Sequence, residues 1–142
     1  MMRNFRQLGA ILFLLVVLVP LIHAEEIIGR KCTTCGKVIA DKRFSAVMEE
    51  RGKVRYFDDI GCAVQYLKGK CPLGSKECDF TVRVFDYDTV EPVHIRAAYY
   101  VQSGKIRTPD GSGIVAFKEK KHAESFLKAN GLKDVLDFED LK

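Results

Sequence analysis

The chain has 142 residues, with 23 basic and 19 acidic side chains and five cysteines. That length suits one small domain whose core can form without disulfides. The formal net charge of +4 is mild, and bases and acids are interleaved, as in K-E-K-K and F-E-D-L-K. No basic face with aromatics between is present, which argues against nucleic acid as a partner.

The first 24 residues have the layout of a secretory signal peptide. M-M-R-N-F-R carries two arginines and no acid, the apolar run Leu8 to Val19 follows, and Pro20 precedes L-I-H-A-E-E. The apolar run is short for a membrane span, and no cysteine near its end offers a lipid anchor. Cleavage is expected after Ala24, leaving a periplasmic or otherwise exported domain over 25–142 with a net charge of about +2 once Arg3 and Arg6 are removed. No membrane span remains after cleavage, whereas an uncleaved leader would anchor the protein. The cysteines are therefore read in an oxidising compartment.

C-T-T-C-G-K comes next, placing Cys32 and Cys35 on a tight turn closed by Gly36. The run F-S-A-V-M-E-E-R-G-K-V-R-Y-F alternates like two strands joined at Gly52-Lys53, a hairpin signal. Asp58 and Asp59 follow, where acids cap a helix or suit its positive end. Ile60, Ala63, Val64 and Leu67 recur at helical spacing, with Cys62 near the helix start. Cys71 and Cys78 bracket the turn-rich P-L-G-S-K-E, and T-V-R-V-F-D-Y reads as a third strand.

Past His94 the pattern returns. A-Y-Y-V-Q-S-G-K-I-R repeats the hairpin signal around Gly104-Lys105, Ala123, Phe126 and Leu127 mark a second helix, and V-L-D-F offers a short last strand. Y-F-D-D-I-G-C-A-V-Q-Y-L-K aligns with A-F-K-E-K-K-H-A-E-S-F-L-K at an offset of 60, pairing Phe57 with Phe117, Ala63 with Ala123 and Leu67 with Leu127. The expected fold is α+β, two tandem β-β-α-β units (about 32–88 and 92–140) packed on each other through mostly antiparallel sheet.

The repeat isolates the sulfur. Cys62 has His122 as its counterpart, and the second unit has nothing equivalent to Cys32 and Cys35. Cys71 and Cys78 are expected to close their loop as a disulfide. Three readings stay open for the remaining trio. One is a Cys32–Cys35 disulfide with Cys62 as a small buried hydrophobe, in a structural or interaction module. Another is thiol–disulfide exchange or lyase-like chemistry at Cys35 or Cys62, although Gly36 and V-I-A after the motif do not give the thioredoxin setting.

The third reading is metal binding by Cys32, Cys35 and Cys62. No fourth ligand is evident, and two or three thiolates suit copper(I) better than a closed zinc site, with zinc the other candidate. Thiolates shared by two chains would make a homodimer. His94 is expected to face solvent or be hydrogen-bonded, His122 is a reserve ligand, and Met48, the one methionine after the leader, belongs to the hairpin. D-G-S-G at 110–113 forms a loop that could reach the cysteine turn. No Ser-His-Asp order, phosphate-cradling loop or paired-carboxylate arrangement points to a hydrolase or kinase, so no enzyme is expected.

C-T-T-C-G-K, F-D-D-I-G-C-A-V-Q-Y-L, A-A-Y-Y-V-Q-S-G-K and A-F-K-E-K-K-H-A-E-S-F, in that order, resemble the NosL family of nitrous oxide reductase accessory proteins. The resemblance runs from about Cys32 to Phe138. It implies an exported copper(I)-binding protein of two β-β-α-β units, similar in fold to part of the organomercurial lyases, that delivers metal for assembly of the reductase's copper–sulfide centre. The chain departs from the family where Lys37 replaces the methionine of C-x-x-C-G-M, where R-T-P-D-G-S-G lacks a further methionine, and where the leader lacks a lipobox cysteine.

Overall fold

The computed structural model describes residues 26–70 and 80–141. Its two helices, α1 (Ile60–Lys70) and α2 (Lys120–Asn130), start 60 positions apart, the offset at which the two sequence segments align. Before α1 stand the strands β1 (Ala46–Glu50) and β2 (Lys53–Phe57). They pair antiparallel through a two-residue turn in which Arg51 and Gly52 are both left-handed, the turn that matches strand twist in a tight hairpin. After α1, β3 (Thr81–Phe85) pairs antiparallel with the other edge of β1.

The chain then adds β4 (Pro92–His94) to the outside of β3, giving a four-stranded sheet in the order β2-β1-β3-β4. Position 92, the expected start of the second unit, thus opens a strand of the first sheet. The second hairpin is β5 (Tyr99–Gln102) and β6 (Ile114–Phe117), antiparallel, with Tyr99 opposite Phe117 as Ala46 is opposite Phe57. The connection at Gly104-Lys105 is not a tight turn. Residues 103–113 form a long loop, because Thr108, Pro109, Asp110 and Gly111 are turn formers without strand alternation. The last strand of the second unit shrinks to one bridge between Tyr100 and Leu136, since Asp137 opens a 3-10 turn over Phe138–Asp140 with a reciprocal cap.

Packing follows from which faces are apolar. Ala46, Met48, Val82 and Val84 point from the large sheet into one core, meeting Ile60, Ala63, Val64 and Leu67 of α1. The β5–β6 hairpin is buried on both faces, as its unbroken I-V-A-F run requires. Tyr100, Ile114 and Ala116 enter the core of α1, while Val101, Val115 and Phe117 meet Ala123 and Leu127 of α2. Phe117, Phe126 and Tyr87 pack with tilted rings in that second core, Tyr87 against Phe126 edge to face, the arrangements that aromatic pairs prefer. The α+β class with two helices and antiparallel sheets is as expected. No helix among the described residues is long and apolar enough to cross a membrane, and residues 1–24 with the expected leader lie outside them.

Candidate metal centre

The cysteine turn is built by its own backbone. Gly36 N–H donates to Cys32 O at 3.0 Å and Cys32 N–H to Lys37 O at 2.8 Å, with Gly36 at φ +76°, a conformation that favours glycine. Thr33 N–H donates to Tyr56 O at 2.7 Å, fastening the turn to the end of β2. Cys62 arrives from the third position of α1, and Thr34 Oγ1 donates to its carbonyl at 3.0 Å. Cys32 and Cys62 are buried, Cys35 is exposed, and all three thiols are free.

The two adjacent acids before α1 divide their work. Asp59 caps the helix, its Oδ1 accepting Gly61 N–H at 2.8 Å. It also accepts from Ser112 Oγ and, through Oδ2 at 2.8 Å, from Asp110 N–H, so it pins the 103–113 loop. Asp58, for which capping was also expected, turns to the thiols instead. Cys35 Sγ donates to its Oδ1 at 3.2 Å, while its Oδ2 is buried without a hydrogen-bond partner. The three sulfurs and a carboxylate oxygen of Asp58 all lie within 4.8 Å of one another, a group able to hold a metal ion.

The loop of the second unit reaches this cluster. Cys62 Sγ donates to Asp110 Oδ2 at 3.3 Å, and the other oxygen of Asp110 receives Lys37 Nζ at 2.7 Å. Lys37 Nζ also donates to Pro109 O at 3.0 Å. The Lys37 ammonium, followed by the Cys62 thiol, holds the Asp110 carboxyl below its usual range. Burial, with Asp58 and Cys32 adding to it and the Lys37 backbone N–H opposing, pushes the Cys35 thiol up to about 11. Cys62 is pushed further, by burial first and then by Asp110 and Cys32. At neutral pH these groups are thiols, and an ion that binds them must displace their protons.

The structure thus gathers Cys32, Cys35 and Cys62, and adds the carboxylates of Asp58 and Asp110, which the sequence had not put forward as part of the cluster. Asp58 was hidden because two adjacent acids before a helix look equivalent. Asp110 belongs to the D-G-S-G loop that was expected to be able to reach the cysteine turn, and it does so at Cys62 and Lys37. His94 and His122 stand outside the four-donor group. His94 is exposed and its Nδ1 accepts Arg96 N–H at 3.2 Å. His122 occupies the third position of α2, as Cys62 does in α1, without joining the site. Met48 is a core residue at 1% exposure. Cys71 and Cys78, the expected disulfide, lie outside the described residues.

No protein-family profile matches the chain, and no curated protein does. Among solved structures it is similar to the crystal structure of the copper chaperone NosL from Shewanella denitrificans, at 22% identity and a TM-score of 0.64, over 82% of this chain and 92% of that one. At that identity the likeness is one of fold, and the chain has a NosL-like α+β fold.

Proposed function

We propose that this is an exported metal-binding accessory protein. It takes copper(I) on Cys32, Cys35 and Cys62 and passes it by ligand exchange to a copper enzyme such as nitrous oxide reductase, during assembly of that enzyme's copper centre. The observation that carries the reading is the convergence of three free sulfurs from two separate elements, two buried and one exposed. Buried Cys32 and Cys62 retain a soft ion, and exposed Cys35 leaves a side open for the acceptor's ligand. The fold shared with a copper chaperone supports this direction. Export and the reductase as acceptor rest on the leader and on the ordered motifs of the sequence.

Thiol–disulfide exchange is the competing reading. Exchange catalysts keep a thiol whose pKa is lowered. Here burial and the neighbouring Asp58 and Cys32 raise Cys35 instead, which disfavours a nucleophile. Anaerobic copper(I) titration of the reduced protein against a chromophoric chelator separates the two. Stoichiometric binding that collapses in Cys35→Ser and Cys62→Ser, with no reduction of model disulfides, is the expected result. Binding no tighter than that of the serine variants would sink the metal-transfer reading.

A further inference from the structure

We infer that the second unit carries a docking cavity for an acidic, aromatic-bearing segment of a partner protein, with Lys105 and Arg107 receiving the segment's carboxylate. The inference stands apart from the metal reading, because no residue of this cavity belongs to the cysteine cluster.

The cavity has a volume of about 230 Å³ and is assembled from separate parts of the chain. Phe44 comes from the 3-10 turn Lys42–Phe44, Tyr87 from just past β3, Lys105 and Arg107 from the 103–113 loop, and Phe126 and Asn130 from α2. The three aromatic residues are half-buried and pack on the core under α2. Tyr87 stands 5.9 Å from Phe44 and meets Phe126 edge to face at 5.3 Å. These rings form a wall on which one more aromatic side chain can continue the tilted packing. Arg43 lies over Phe44 and Tyr87 with its charge met by Asp41, so it braces the wall and does not compete for an anion.

The rim supplies polar groups that nothing within the chain uses. Lys105 and Arg107 are exposed, and neither side chain has a hydrogen bond or ion pair among the described residues. No acid among those residues lines the cavity. Asn130 Nδ2 donates to Phe126 O at 2.8 Å, which leaves Asn130 Oδ1 to accept an N–H. The turn that presents the two cations is set by its own bonds. Ile106 N–H donates to Ser103 O at 3.0 Å and Lys105 N–H to Ser103 Oγ at 3.2 Å.

Each of these groups selects part of a ligand. The cations select a carboxylate, the rings a large apolar side chain, and the free carbonyl an N–H donor. A peptide segment has all three. Small-molecule pockets run from about 300 Å³ upward, so this smaller cavity suits one anchoring side chain of a larger partner. The same loop brings Asp110 to Cys62, so the docked partner grips a segment that also touches the cysteine site.

The test is calorimetric titration of the full chain at low salt with blocked peptides of alternating glutamate and phenylalanine. Counterparts with glutamine or lysine for glutamate, or alanine for phenylalanine, are run beside them, as is phenylacetate. The glutamate–phenylalanine peptide should bind, with amide NMR shifts at 105–107 and 126–132, and the glutamine and alanine counterparts should not. Lys105→Glu with Arg107→Glu, a change at two exposed positions, should weaken that peptide about 10-fold and favour the lysine counterpart instead. Phenylacetate binding as tightly as the peptide would overturn the partner assignment in favour of a small carboxylate. Self-association of the wild type that the double variant abolishes would overturn it in favour of a second copy. No peptide binding, shifts elsewhere, or equal affinity in the wild type and double variant would remove the docking site.

Discussion

Lys37 stands where the resembled family carries a methionine, and its surroundings account for the exchange. Its ammonium is committed to Asp110 Oδ1 and the Pro109 carbonyl, so it acts as a strap across the loop and not as a metal donor. Both partners are substantially exposed, at 53% and 36%, and surface pairs of this kind add little to stability. Lys37→Met is therefore expected to leave the melting temperature unchanged while placing a thioether beside Cys35. Tighter copper(I) binding in the chelator competition is the expected result, and weaker binding would mean that the strap itself supports the site. The same scale shows a limit of sequence reading. Asp58 and Asp59 are chemically identical neighbours, and only the direction of the chain entering α1 sends one to the helix end and the other to the thiols.

Among elements, the hairpins and helices were legible because periodicity encodes them. α1 and α2 begin at matched positions, and the three cysteines could be expected near one another once Cys62 sat at the start of a helix that follows a hairpin. The D-G-S-G part of the loop 103–113 could be expected to reach the cysteine turn, as it does, but turn residues did not specify its landing point on α1. Asp59 holds it against α1, and Gly61 leaves the room it needs, since an added Cβ there would clash with Ser112 Cβ. Gly61→Ala must push the loop away, although alanine is the better helix former. We expect a loss of about 1–3 kcal/mol in urea denaturation, the usual range for overpacking. Freed from Asp110, the Cys62 thiol should also be alkylated faster than in the wild type. Unchanged labelling of Cys62 would show that the loop does not shield it.

At the scale of the whole molecule, the two halves meet at Asp86. It follows β3, bridges in parallel to Ala116 of β6, and accepts from Asp88, Thr89 and, across the halves, Lys118 N–H at 2.7 Å. Burial works against its charge, but the N–H groups of Lys118, Thr89 and Asp88 outweigh it and keep the carboxyl below its usual range. A depressed folded-state value contributes stability that is present above the unfolded value, about 3.9, and is lost as pH falls through the folded value. Asp86→Asn should cost about 2–3 kcal/mol near neutral pH, measured by thermal or urea unfolding. Its stability should also fall less steeply than that of the wild type below about pH 4. Parallel acid-unfolding curves would show that Asp86 does not carry the effect. Sequence reading found the duplication but not this junction, because an aspartate after a strand looks like any turn residue.

The site is put together from distant parts of the chain. Cys35 meets Asp58 across 23 positions, Cys62 meets Asp110 across 48, and Lys37 is strapped to Asp110 across 73. As the polypeptide emerges, the cysteine turn comes first, yet the strap is made only after β5 has been synthesised and the second half has docked, since contacts this remote form late. A chain that ends before Asp110 lacks the contacts that this loop makes with Cys62 and Lys37. On the proposed reading, an ion held behind Asp110 would mark a chain whose second half has docked on the first.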